Sequence, residues 1–122
     1  MQQLTHLRLQ ADQARLAVVL RKETELRQTL QDLAQKRRQR LSAPQNGGDA
    51  ASVAGADLNW QLWIDQRHTT ITADLARTLA EKVELTAMLR RSFGRDQAAR
   101  QVHKVFQQSE QMTIARRAHY ES

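Results

Sequence analysis

The feature that most constrains this chain is a single interruption in an otherwise helix-favouring sequence. The sole proline, Pro44, and three of the four glycines lie between residues 44 and 55. Pro44 disfavours helical geometry at the residue before it, and Gly47 and Gly48 readily adopt positive φ. Alanine, glutamine, leucine and arginine make up more than half of the chain, and all four favour helices. A sheet protein needs β-branched residues and turn glycines that this chain lacks, so sandwich and barrel folds are excluded.

Apolar residues recur at helical spacing on both sides of this break, and Asp57 is placed to cap the start of the second segment. The sequence therefore predicts an all-α fold, an elongated antiparallel two-helix coiled-coil hairpin with a longer second helix. The first stripe consists of Leu9, Leu16, Val19, Leu20, Leu26, Leu30, Leu33 and Leu41, with Glu23 and Arg37 as charged members. The second consists of Trp60, Ile64, Ile71, Leu75, Leu79, Val83, Leu89 and Phe93.

The whole chain, residues 1–122, is expected to form one helical hairpin. Helix one is predicted over about 4–42, the link over 43–56 and helix two over about 57–120. Gly94 lies where helix one runs out, and a C-terminal cap or a kink there both remain open. The predicted register is as follows, with a slip of one turn left open: Leu33 by Ile64, Leu26 by Ile71, Leu20 by Leu79, Leu16 by Val83, Leu9 by Leu89 and Leu4 by Phe93.

A third apolar stripe follows Gly94, and helix one is too short to cover it. The stripe either folds back as a third helix or meets another protein. Its residues are Ala98, Val102, Val105, Phe106, Ser109, Met112 and Ala115.

No pattern of catalytic or metal-ligating residues is present, so we expect a non-enzyme with no cofactor, no metal and no small-molecule substrate. The four histidines lie far apart in sequence, and the chain has no cysteine. His68 has a packing or partner-contact role as its main interpretation and an acid–base role as the lesser one. The chain also carries no apolar run long enough for a signal peptide or a membrane span, which predicts a cytoplasmic protein.

The strongest charge signal is the basic patch formed by Lys36, Arg37, Arg38 and Arg40. It indicates either contact with phosphates or an acidic protein surface, or a solvated helix end where cations suit the helix dipole. Nucleic-acid recognition usually adds aromatic stacking, and no aromatic residue lies near the patch in sequence.

Trp60 and Trp63 are the only tryptophans, and both stand at the start of helix two. They form either a hydrophobic plug where the helices meet the link or an anchor for a protein partner, since tryptophan is enriched at interface hot spots. Spacing predicts that Trp63 is the more exposed of the two.

The arrangement of these elements resembles the FliJ family of flagellar export proteins, and the YscO-type stalk proteins of type III secretion are similar in outline. The resemblance rests on the helix–link–longer helix order, the run Leu58-Asn59-Trp60-Gln61-Leu62-Trp63-Ile64-Asp65-Gln66 and arginine-rich ends such as Arg116-Arg117.

The resemblance implies a central stalk and chaperone escort that engages a hexameric export ATPase, an export gate membrane protein and export chaperones. It places such a protein in the cytoplasm, at the cytoplasmic face of the inner membrane through its partners. The ATPase would meet Phe93, Val102, Phe106 and Met112. The gate would meet Trp60, Trp63, Ile64, Arg67 and Ile71. A basic helical nucleic-acid binder and a purely structural helical bundle are the alternatives.

Overall fold

A computed structural model describes residues 2–42 and 49–121. It consists of two helices, α1 (Gln2–Ser42) and α2 (Ala50–Glu121), which pack against each other as a hairpin, and the described residues contain no strand. The predicted all-α helical hairpin with a longer second helix is confirmed. Neither described helix is long and apolar enough to cross a membrane.

The second helix starts earlier than the sequence predicted, at Ala50 rather than near Asp57. Its N-cap is Asp49, whose carboxylate accepts the amide of Ala51 at 3.4 Å and whose carbonyl accepts the amide of Val53 at 3.0 Å. The predicted link over 43–56 is therefore too long, because the alanine-rich segment after Asp49 favours helix once it is capped. Residues 43–48 of that link lie outside the described residues.

Gly94 neither caps nor ends a helix. The second helix continues through it, and no described glycine has a positive φ. A glycine inside a helix loses more conformational freedom on folding than any other residue.

Gly94→Ala should therefore stabilise the protein, by about 0.5–1 kcal/mol. A Cβ added at Gly94 would meet nothing within 4 Å, so the gain in helix propensity carries no steric cost. Urea unfolding followed by circular dichroism would measure the change. Gly55→Ala is the matched control, since Gly55 lies in the same helix and its Cβ also meets open space. A loss of stability at Gly94 alone would show that α2 is interrupted there.

By contacts the chain divides into two compact units. One comprises Val18–Lys82 and the other joins α1 up to Ala17 to α2 from Val83 onward. The first unit holds an apolar core, in which Leu33, Ile64 and Ile71 are buried and Leu26, Leu30 and Trp60 pack against them. The cluster contains both members of two pairs in the predicted register, Leu33 with Ile64 and Leu26 with Ile71.

The other unit has a more polar seam. Leu9 and Leu85 are buried there, but so are Asp12, Ser92 and Asp96. Within each helix these buried residues are three, four or seven positions apart, because the seam keeps the heptad period even where its members are polar.

Several residues assigned to the apolar seams are exposed instead. A residue with an exposed side chain does not lie in the seam, so the register predicted from apolar residues alone is wrong at these points. The exposed residues are Leu4, Leu20, Leu41, Val83 and Phe93.

Candidate protein-binding surface

The first turns of α1 are held to α2 by a buried carboxylate. Asp96 is 2% exposed; it accepts a hydrogen bond from the Thr5 hydroxyl at 3.2 Å and pairs with Arg100 at 3.1 Å. His6 Nδ1 lies 4.0 Å from the second oxygen of the same carboxylate. Asp96 therefore gathers partners from both helices where α1 begins.

A second buried carboxylate lies further along the same unit. Asp12 accepts a hydrogen bond from the hydroxyl of Ser92 and lies 3.9 Å from Arg15. Both Asp12 and Ser92 are almost fully buried, so each satisfies the other away from water. A partnered polar pair in a seam favours one register, because a slipped pairing would leave both groups unsatisfied.

Beyond this polar seam α2 continues without cover from α1. Every residue from Arg100 to Glu121 is exposed. Val102, Phe106 and Met112, the predicted tail anchors, are each more than half exposed, and Ile114 is 66% exposed. The stripe that the sequence left uncovered is uncovered in the structure, and it does not fold back as a third helix.

A groove of about 610 Å³ lies where α1 starts and α2 continues. Gln2 and Thr5 form one wall, and Ala98, Val102 and Phe106 form the other. Since the second wall is mostly apolar, the groove suits apolar side chains of a protein partner better than a polar metabolite.

The residues expected to contact a gate protein separate into buried and exposed groups. Ile64 and Ile71 are 1% and 3% exposed, so they belong to the core and their assignment as partner contacts is wrong. Trp63 is 49% exposed, as its spacing predicted, and Arg67 is exposed as well.

Trp60 fits the description of a plug. It packs on the apolar core, and the guanidinium of Arg40 lies over its ring, 4.7 Å from the ring centre. Arg40 also pairs with Asp57 at 2.9 Å, so the three side chains tie the end of α1 to α2.

The basic patch is partly engaged within the hairpin. Arg37 pairs with Asp65 at 2.7 Å, and Arg40 is held by Asp57 and Trp60. Lys36 and Arg38 are exposed. Two of the four cations therefore stabilise the helix pair, and two point to solvent.

Glu23 occupies a seam position, as the sequence predicted. Its carboxylate accepts hydrogen bonds from Lys82 at 3.1 and 3.2 Å and from Arg27 at 3.2 Å. The hydrogen bonds from Lys82 and then Arg27 lower the pKa of Glu23 below its ordinary value.

Stability should consequently fall at acid pH in a way that depends on Glu23. A carboxyl group whose pKa is lowered by folding contributes stability above its unfolded pKa, about 4.3, and that contribution is lost as the pH falls through the folded pKa. Glu23→Gln should therefore be less stable than wild type at pH 7 and approach it near pH 3. Urea unfolding of wild type and Glu23→Gln between pH 3 and pH 7 measures the difference in free energy of unfolding at both ends of this range. Glu25→Gln, at an exposed glutamate, is the control. If the free energy of unfolding of Glu23→Gln differed from that of wild type by the same amount at every pH, the pairing of Glu23 would be contradicted.

The apolar pattern placed Glu23 in the seam but not the buried Asp12, Ser92 and Asp96. The signal was nevertheless present, since Asp12 continues the alternating three-and-four spacing of Thr5, Leu9, Leu16 and Val19. Within 2–42 and 49–121, no three histidine or acidic side chains stand close enough to hold a metal ion.

Comparisons with known proteins add no relative. No protein-family model matches the sequence, and no curated protein or solved structure is similar to it.

Proposed function

We propose that this chain is a non-enzymatic coiled-coil adaptor of bacterial flagellar or type III protein export, acting as a central stalk and chaperone escort. The observation that carries the proposal is the exposed continuation of α2 beyond the start of α1, from Arg100 to Glu121. An apolar helix face without an intramolecular partner is a common docking element for another protein. The resemblance to FliJ-type proteins supplies the export system.

In this proposal the tail of α2 engages the hexameric export ATPase. Val102 and Met112 are exposed on one face of the helix, Phe106 is exposed on the neighbouring face, and all three supply apolar contacts. Phe93, the fourth residue proposed for the ATPase contact, is half exposed, but it lies nine residues before Val102 and so on the other side of the helix.

The export gate protein binds the N-terminal part of α2. Trp63 and Arg67 are exposed there, and both residue types are enriched among the side chains that carry interface binding energy. The buried Ile64 beneath them keeps the helix in place.

The rate of ATP hydrolysis by a purified hexameric export ATPase tests the proposal. Adding the full chain should raise the rate, and a chain carrying Val102→Asp and Phe106→Asp should not. Both positions are exposed, so the variant should keep its helix content by circular dichroism. An unchanged rate with the wild-type chain would count against the proposal.

The nucleic-acid alternative has one observation in its favour, the exposed Lys36 and Arg38. It predicts binding to double-stranded DNA or RNA that weakens steeply with salt. Replacing both residues with glutamine should abolish such binding, and binding that survives the replacement would remove this alternative.

A further inference from the structure

One face of α2 carries an apolar stretch between two groups of arginines. The stretch steps along the helix at alternating intervals of four and three, which keeps its members on one side. This tail stretch consists of Ala98, Val102, Val105, Ser109 and Met112. The same stepping leads back to Arg95 and Arg91 and forward to Arg116.

This face is not the one that packs on α1. The packed face contains Leu85, Ser92 and Asp96, and its steps continue to Ala99 and Phe106. The tail stretch is displaced from those positions by one residue, which is about 100° around the helix. A helix seated on the tail stretch would therefore lie beside α1 rather than extend it.

The arginines before the tail stretch are joined by one from α1. Arg8, Arg91 and Arg95 line a shallow groove together with Met88 and with Asp12 and Ser92, whose side chains are buried and hydrogen-bonded to each other. Arg95 also lines the larger groove with Ala98 and Val102. The two grooves thus meet at Arg95 and form one continuous surface.

Three other arginines are engaged by carboxylates, whereas Arg38 and Arg67 are exposed and form no ion pair with a described residue. Arg37, Arg40 and Arg100 each pair with an aspartate. Among the described residues, none of the arginines that bracket the tail stretch forms an ion pair; these are Arg8, Arg91, Arg95, Arg116 and Arg117.

We propose that the tail stretch docks an acidic amphipathic helix of a protein partner, with carboxylates at both ends of its apolar stripe. The distance from Arg95 to Arg116 along α2 is about 31 Å at 1.5 Å per residue. The partner helix therefore needs at least about 21 residues, with acidic groups near its two ends. The inference rests on the proposed adaptor function and names the chemistry of the partner at that site.

A second copy of the chain fits this surface poorly. Antiparallel pairing of two tail stretches would bring Arg91 and Arg95 of one copy beside Arg116 and Arg117 of the other. Parallel pairing would place each arginine beside the same arginine of the other copy. Both arrangements oppose like charges, which disfavours association.

The test uses the full chain and three fluorescent peptides of about 25 residues that share one apolar stripe. The ends of the first carry glutamate, those of the second glutamine and those of the third lysine. Fluorescence anisotropy at low salt should show the glutamate peptide binding at least about tenfold more tightly than the glutamine peptide. Added salt should reduce the difference in affinity between the two peptides, because it screens the charges.

Charge reversal makes the test specific. The chain with Arg91→Glu, Arg95→Glu and Arg116→Glu should prefer the lysine peptide. The matched control with Arg21→Glu, Lys22→Glu and Arg77→Glu, at exposed cations elsewhere, should keep the wild-type preference. Val102→Ala, Val105→Ala and Met112→Ala together should weaken binding about tenfold. The matched controls Val18→Ala, Leu62→Ala and Val83→Ala, also exposed, should not.

Four outcomes would overturn the inference. Two concern the peptides: equal binding of the glutamate and glutamine peptides, and no effect of charge reversal. The other two are self-association of the chain that is lost when Val102, Val105 and Met112 are replaced by alanine, and displacement of the glutamate peptide by phosphatidylglycerol vesicles. If the peptide preferences hold and the export ATPase is not stimulated, only the export role fails. If the ATPase responds equally to wild type and the charge-reversed chain, only the acidic-helix inference fails.

Discussion

Ile64→Ala should lower the free energy of unfolding by about 2–4 kcal/mol. Ile64 is 1% exposed and forms the apolar core of its unit together with Leu33 and Ile71. Alanine removes three buried carbon atoms and leaves a cavity that a core of so few residues cannot refill from a second layer. Chemical unfolding followed by circular dichroism at 222 nm gives the difference directly.

Val83→Ala is the control for this change. Val83 is 70% exposed, so its truncation should alter stability by less than about 0.5 kcal/mol. A similar cost at both positions would mean that the helices do not pair along Ile64 and would contradict the described core.

Asp96→Ala should cost about 1–3 kcal/mol and should loosen the start of α1 in particular. The carboxylate is buried and accepts the Thr5 hydroxyl while pairing with Arg100 and lying near His6. Its removal leaves the half-buried Thr5 hydroxyl without its cross-helix partner and leaves Arg100 without its counter-charge.

Native-state hydrogen exchange read peptide by peptide would locate the effect, because local opening reports its own free energy. Amides in the first turns of α1 should exchange faster in Asp96→Ala than in wild type. Asp32→Ala, at an exposed aspartate that accepts a hydrogen bond from Gln28 at 3.2 Å, should leave them unchanged. Uniform acceleration along both helices would show that Asp96 has no local role.

The hairpin could be predicted because its signals are local. One proline and adjacent glycines interrupt two long stretches of good helix formers, and few folds other than a helix pair bury the stripes that remain. The early start of α2 was missed because the alanines after Asp49 are small residues typical of linkers and also strong helix formers. The capping contacts of Asp49 decide between the two.

The polar seam could be predicted only in part. Glu23 stands between leucines that mark the heptad, so its seam position was visible in the sequence. Asp12 and Asp96 were not assigned to the seam, because a carboxylate is buried only where the opposite helix offers a donor. Ser92 and Thr5 supply these donors, and no pattern within a single helix shows which residues of the other helix it will meet.

The candidate protein-binding surface could also be predicted only in part from the sequence. The uncovered apolar residues of the tail followed from spacing, since helix one is shorter than helix two. The assignment of Ile64 and Ile71 to a partner was wrong, because the stripe that suggested a contact surface is the one that builds the core. The arginine cluster that includes Arg8 required the structure, because α1 supplies one member and α2 the others.

Direct titration of the full chain into a purified hexameric export ATPase tests the central claim most directly. Calorimetry should show saturable binding, and Val102→Asp with Phe106→Asp should weaken it at least about tenfold, while Val18→Asp with Val83→Asp should leave it unchanged. All four positions are exposed, so the two variants differ in the surface they alter and not in the core. No binding by the wild-type chain, or equal binding by both variants, would contradict an adaptor that engages the export ATPase through the tail of α2.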